Sequence, residues 1–357
     1  MLNNTSYRLT KEKKLTVGYF GGSITEGAGA SVWDETSWRA NITRYLRAKY
    51  PEAEIKEVNA AIGGTGTDLG FYRCEHDLLA GNPDLVFIEF ATNDSGLCRR
   101  DQLRYYESCL RQIMEHDKTT EIVVVFTTTK GMERIVAETG DRGSRTVQAM
   151  LAYHYGLDMV DLGQKLNEAV LLAGGDWLRY TTDETHPNDD GYLICTETMR
   201  TALERLIPET ADAITERVIP VAVSPEIPHG EIVEIKDLLP IEGWHFVDKR
   251  FKRRFPYYVT ADGVGSELTY TFEGTALGLY WIQDRDSGKV SLSLDGGEPV
   301  TVSAWDSYCK SYSRAGYVIP FVDLERGTHT VTVRVLAEKD EESLGNTISL
   351  FAFMVGK

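Results

Sequence analysis

From residue 15 to about 207, short apolar runs alternate with stretches whose apolar residues recur every three or four positions, and this alternation constrains the fold more than any other feature. Leu15–Phe20, Ile55–Asn59, Leu85–Phe90, Ile122–Phe126 and Met159–Val160 are the near-continuous apolar runs expected of parallel strands buried on both faces. Between them lie helical patterns, one carrying Trp38, Ile42, Tyr45 and Leu46, another Leu103, Tyr106, Leu110 and Ile113. A last helix sets Tyr192, Cys195, Met199, Ala202 and Leu206 on one face. Strands that alternate with helices in this way imply a doubly wound α/β layer around a five-stranded parallel sheet, with functional loops at the carboxyl ends of the strands.

The pattern changes after Pro208. Pro220, Pro225 and Pro228 prevent one continuous helix, so residues 211–230 are expected to form a linker after a domain spanning 1–210. From about Glu231 to the end at residue 357 the pattern is all β. Its runs are Glu267–Phe272, Leu277–Trp281, Val290–Leu294, Val300–Ser303, Tyr317–Phe321, Thr328–Val335 and Ile348–Met354, with a hairpin turn at Asp295-Gly296-Gly297. Many short strands without helices between them predict a β-sandwich.

A length of 357 residues suits two domains. The formal charge of −16 argues against nucleic acid or an anionic membrane as partner, because phosphates would be repelled. The basic run Lys249-Arg250-Phe251-Lys252-Arg253-Arg254 opposes that balance and reads as a solvated face or loop. No apolar stretch approaches the roughly 20 residues that span a bilayer, and Met1–Lys14 lacks a signal-peptide core. Cys74, Cys98, Cys109, Cys195 and Cys309 are odd in number and form no CxxC pair, which suits free thiols in a reducing compartment and a cytoplasmic location. The sequence leaves homo-oligomerisation open.

Four short segments at predicted strand ends carry the chemistry. Gly21-Gly22-Ser23-Ile24-Thr25 follows the first strand, where a tight turn exposes a serine at the sheet edge. Asp183-Glu184-Thr185-His186-Pro187 supplies a base for that serine and, three residues before it, a carboxylate to fix the ring's tautomer. Asn59-Ala60-Ala61-Ile62-Gly63-Gly64-Thr65 and Ala91-Thr92-Asn93-Asp94 follow the second and third strands. The backbone N–H groups of Ser23 and Gly64 and the amide of Asn93 would cradle a carbonyl oxygen as it gains charge. Each segment alone is an ordinary turn or cap; their joint placement in an α/β layer points to acyl transfer.

These segments resemble the SGNH (GDSL-like) hydrolase superfamily across residues 15–207. The resemblance implies a flavodoxin-like sheet, with Ser23 as nucleophile, Gly64 and Asn93 as oxyanion donors, and Asp183 and His186 completing a triad. The chain departs from the GDSL form at Gly22, which replaces an aspartate, and at Ala91, which replaces a glycine. Gly-Gly-Ser-Ile-Thr is similar to the motif of bacterial carbohydrate acetyl esterases. With a C-terminal region like the jelly-roll-like sandwich of carbohydrate-binding modules, the chain resembles the two-domain mannan acetyl esterases of carbohydrate esterase family 17. That implies a serine esterase acting on acetylated oligosaccharides, with no metal or organic cofactor. Rival readings are a short-chain esterase or lysophospholipase, and a non-catalytic carbohydrate-binding protein.

Trp305, on a predicted loop between two β runs, is either a platform for a sugar ring or a core residue. Trp33, Trp38 and Tyr72 lie near the site loops, and helical spacing assigns Trp38 to the core. Asp94 is expected to act as a helix cap or acceptor rather than a proton donor.

Overall fold

The five apolar runs of the first half are strands β1 (Lys14–Gly21), β2 (Glu54–Asn59), β3 (Leu85–Glu89), β4 (Glu121–Phe126) and β5 (Asp158–Asp161) in the computed structural model. They form one parallel sheet in the order β2-β1-β3-β4-β5. Residues 1–225, 228–252 and 255–357 are described, so Arg253 and Arg254 of the basic run lie outside the described residues. The chain divides into two units, Met1–Pro228 and His229–Lys357.

Helices Trp38–Lys49, Arg99–His116 and Asp189–Leu206 occupy the three stretches of helical spacing. The first begins where the Ser37 side chain accepts the Ala40 N–H, and the last where Asn188 accepts from Gly191. Trp38, Ile42, Leu46, Tyr192, Cys195 and Met199 pack in one cluster with Val17, Tyr19, Phe87, Val123 and Val125 of the sheet. The order reverses between β1 and β3, because β2 lies on one side of β1 and every later strand on the other. A doubly wound sheet opens a crevice outside the carboxyl ends of its strands at such a point.

Within residues 211–230, expected as a linker, the described stretch up to Ser224 is hydrogen-bonded to the first unit. Thr215 donates its N–H to Asn4 Oδ1 at 2.9 Å, and Arg217 donates to the Lys118 carbonyl at 3.0 Å. The consecutive N–H groups of Val223 and Ser224 both reach the buried Glu107 carboxylate at 2.7 Å. Prolines exclude a helix here but leave enough N–H groups for side chains to hold the extended chain.

The second unit holds β6 (Gly230–Glu234), β7 (Trp244–Val247), β8 (Tyr258–Ala261), β9 (Glu267–Gly274), β10 (Ala276–Gln283), β11 (Lys289–Leu294), β12 (Val300–Ser303), β13 (Arg314–Phe321), β14 (Gly327–Val335) and β15 (Ser349–Gly356). One antiparallel sheet runs β13-β10-β15-β8-β7, with β6 also paired to β15; the other runs β12-β11-β14-β9. Their inner faces meet in one apolar core, where Leu279, Trp281, Leu350 and Phe353 pack with Leu268, Val290, Leu292, Val331 and Val333. The result is a β-sandwich. All seven β runs named from the sequence are strands, whereas β6, β7 and β8 are short and were not individually legible. Asp295 and Gly296 take left-handed φ of 52° and 72°, and the Gly297 N–H closes a tight turn on Leu294 O at 2.8 Å within the loop that joins β11 to β12. All five cysteines are free thiols, and no helix among the described residues is long and apolar enough to cross a membrane.

Candidate active site

Ser23 opens a one-turn helix, Ser23–Glu26, directly after β1. Its Oγ lies 2.8 Å from His186 Nε2, and His186 Nδ1 lies 2.7 Å from Asp183 Oδ2. With the Nδ1 proton directed at Asp183, Nε2 is left to accept from the serine hydroxyl. These three side chains, expected from segments 160 residues apart in the chain, therefore form one hydrogen-bonded line.

Asp183 and His186 sit on a loop before helix Asp189–Leu206. The loop closes through Thr182 N–H to His186 O at 2.8 Å, and Glu184 takes a left-handed φ of 66° to make the turn. Asp183 Oδ1 also accepts the His186 N–H at 2.8 Å and the Thr185 N–H at 3.2 Å. Burial works against the charged carboxylate, but these donors and the ring outweigh it and hold Asp183 below its ordinary range. The loop is tied to the serine turn elsewhere, since the Tyr192 hydroxyl reaches Ala28 O at 2.7 Å and Asp189 accepts from Ser31.

The donors expected for an oxyanion border the serine. Gly63 packs on Ser23, with its N–H turned to the Glu26 carboxylate at 2.8 Å, so the next residue, Gly64, presents the free N–H of this turn. Gly64 has φ +75° with open space where a side chain would stand. Asn93 starts a short 3₁₀ turn just beyond β3, and its side chain lies against Gly22 so closely that a Cβ there would collide with Oδ1. That contact is a physical reason for glycine, not aspartate, before the serine. Asn93 and Gly64 have no hydrogen-bond partner for these donors among the described residues.

Asp94 points away from the serine and accepts the N–H of Thr67 at 2.8 Å, the first residue of helix Thr67–Arg73, as well as the Thr67 hydroxyl and Gln148. It is an acceptor at a helix start, as its position after the asparagine suggested. Burial outweighs these donors and pushes its pKa up to about 8. Trp305 belongs to the second unit, on the stretch after β12; it is half-buried, its indole N–H is enclosed, and among the described residues that N–H meets no acceptor. Trp38 is wholly buried against Tyr19 and Phe87. Two buried charges beside the site escaped the sequence reading: Glu89 at the end of β3 and Arg73 at the end of helix Thr67–Arg73. The signal for the first was an acid inside the apolar run Leu85–Phe90. Among the described residues no group of three or more His, Cys, Asp or Glu side chains is gathered as a metal ion would require.

Residues 19–194 match the model of the GDSL-like lipase/acylhydrolase family. The matched stretch lies within the first unit. No curated protein matches the chain in sequence. Among solved structures, a two-domain esterase active on acetylated mannans is similar in fold, at 20% identity, TM-score 0.82, and coverage of 100% of this chain and 96% of its own. The same kind of esterase co-crystallised with mannopentaose gives TM-score 0.81 with 95% of its own chain covered. Axe2, an acetylxylan esterase from Geobacillus stearothermophilus, aligns with 56% of this chain and 97% of its own at 23% identity and TM-score 0.43. The first of these matches spans the residues of both units.

Proposed function

We propose that the GDSL-like domain is a serine esterase that removes O-acetyl groups from carbohydrates, with acetylated manno-oligosaccharides as the preferred class. The observation that carries this is the line from Asp183 through His186 to Ser23, with both links under 3 Å. Ser23 Oγ attacks the ester carbonyl while its proton passes to His186 Nε2. The carbonyl oxygen gains the negative charge and is held by the N–H groups of Ser23 and Gly64 and the Asn93 amide. The C–O bond to the sugar then breaks, and the sugar hydroxyl leaves with the proton from His186. Water, deprotonated by the same ring, attacks the acetyl-serine and releases acetate. Asp183 stays charged and holds the ring. The chemistry calls on no cofactor.

The fold shared with a mannan-active esterase supports the carbohydrate part of the reading. The half-buried Trp305 ring supports a sugar-binding role for the second unit, because an aromatic face packs well on a sugar ring. The test is hydrolysis by wild type and Ser23→Ala of 4-nitrophenyl acetate, its longer-chain homologues, and a panel of acetylated oligosaccharides followed by mass spectrometry. Loss of acetyl from manno-oligosaccharides by the wild type alone supports the proposal. Activity retained by Ser23→Ala would end it, and a preference for long acyl chains would move the protein to the lysophospholipase class. On the same panel, Trp305→Ala is expected to lower kcat/KM for oligosaccharides well below its effect on the small acetate.

A further inference from the structure

Glu89 ends β3 with no solvent exposure, beside the serine turn yet without access to substrate. A carboxylate enclosed in protein is costly unless its lone pairs are filled, and it has about four sites to fill. Here four donors converge. The Thr25 hydroxyl reaches Oε2 at 2.9 Å and the Thr127 hydroxyl reaches Oε1 at 2.6 Å. The backbone N–H groups of Gly22 and Thr92 supply the other two. These two residues immediately precede Ser23 and Asn93.

The peptide linking Gly21 to Gly22 is gripped from its other end as well. Its carbonyl, Gly21 O, accepts from the buried Arg73 guanidinium at 3.2 Å and from the Ile62 N–H at 2.9 Å. Arg73 also donates to Ala60 O at the foot of the Gly63–Gly64 turn. One peptide plane before Ser23 is therefore held between a buried anion and a buried cation. The register agrees, since Gly21 of β1 stands opposite Glu89 of β3.

We propose that Glu89 is the positioning residue of this site, a single carboxylate that locks the serine turn to the asparagine turn so that their oxyanion donors keep a fixed spacing. This rests on the esterase reading above. Neither turn can shift without leaving a buried charge short of a donor, which is far costlier than stretching an exposed bond. Displacing catalytic groups by about 1 Å can cost on the order of 10²-fold in rate. Glutamine at this position keeps the size but replaces one oxygen by an NH₂ group. The threonine hydroxyls can rotate to accept from it; the backbone N–H groups of Gly22 and Thr92 cannot. At least one of the two turns must then move.

The experiment uses the full chain and 4-nitrophenyl acetate. Glu89→Gln is expected to lower kcat by about 10- to 10²-fold while KM stays within about twofold. In an Asn93→Ala background the same change should cost at least about fivefold less, because one of the groups it positions is already gone. A purely structural role predicts losses that multiply, and multiplying losses would overturn the proposal, as would an unchanged kcat in Glu89→Gln. If Glu89→Gln does not fold, Thr25→Val removes one donor at nearly constant shape. A kcat reduced about three- to tenfold at unchanged KM is then expected, and a wild-type kcat counts against the role. Ser23→Ala separates the two possible failures. If it is inactive while Glu89→Gln is normal, only the positioning role falls; if it is active, the esterase reading falls and takes this one with it.

Discussion

The two units bury different things. Every buried Asp, Glu, Lys or Arg side chain among the described residues lies in the first: Arg8, Glu26, Arg39, Arg73, Glu89, Asp94, Glu107 and Arg145. The buried polar groups of the second are neutral, Gln283, Ser287, Ser343 and Ser349, and its centre is otherwise aliphatic and aromatic. A buried ion adds little net stability over a well-packed apolar group and leaves a large penalty when its partner is lost. Yet Glu26 holds the N–H of Gly63 and Glu89 those of Gly22 and Thr92, in turns beside Ser23, while Asp94 holds the first N–H of helix Thr67–Arg73. In the first unit, then, buried carboxyl groups fix backbone that must stand in one place, while the core of the sandwich is mainly apolar packing. Damage to the first should appear mainly in rate, and damage to the second mainly in stability.

The largest expected effect tests the first half of that contrast. Asp183→Asn leaves the loop shape intact but presents the wrong tautomer of His186, so kcat on 4-nitrophenyl acetate should fall by up to about 10⁴-fold with little change in melting temperature. A near-normal rate would mean that another group orients the ring. Trp281→Ala tests the second half. The ring is fully buried between the sheets, and its loss should cost about 3–5 kcal/mol of stability by chemical denaturation, with the rate on the small acetate within about twofold at low temperature. A parallel collapse of rate would break the comparison. Asn93→Ala should lower kcat by about 10²-fold with a smaller change in KM, since its amide acts on the developing oxyanion; a pure KM effect would place it in ground-state binding instead.

The smallest effect is a pH dependence. The Asp94 pKa is raised on folding, to about 8. An acid whose pKa is raised in the folded state binds its proton more tightly there, so stability is lost as pH climbs from the unfolded value of roughly 4 towards 8. Asparagine carries no such charge. Asp94→Asn should therefore gain on the wild type across that window, by a few degrees in melting temperature, and match it best near pH 4. An offset constant with pH would show that Asp94 remains ionised throughout. The contrary pull of its three donors makes this the sharpest check on how far burial dominates here.

The strands and the Asp183–His186–Ser23 line were legible because each leaves a local mark. Buried parallel strands are continuous apolar runs, and Asp183 and His186 stand within one turn of chain. In β15 every residue is buried, and Phe255 stacks on Phe351 at 4.5 Å, so no alternation was needed to reveal it. The support beneath the site was not legible. Glu89 and Arg73 gain their meaning from Gly21 and Gly22, distant in sequence and adjacent only through strand register. What holds the segment after Pro208 was hidden for the same reason, because it is a carboxylate on helix Arg99–His116.

That carboxylate dictates where the chain can be cut. Glu107 has no solvent exposure; among the described residues its oxygens accept from the Tyr155 hydroxyl at 2.5 Å and from the N–H groups of Val223 and Ser224. An excised first unit ending near residue 210 would strip those two donors from an enclosed carboxyl group and open it to water. One ending after Pro228 would keep them. Anyone dissecting the protein should therefore expect the shorter fragment to be poorly soluble and the longer to behave, although the described residues of the omitted stretch form neither helix nor strand.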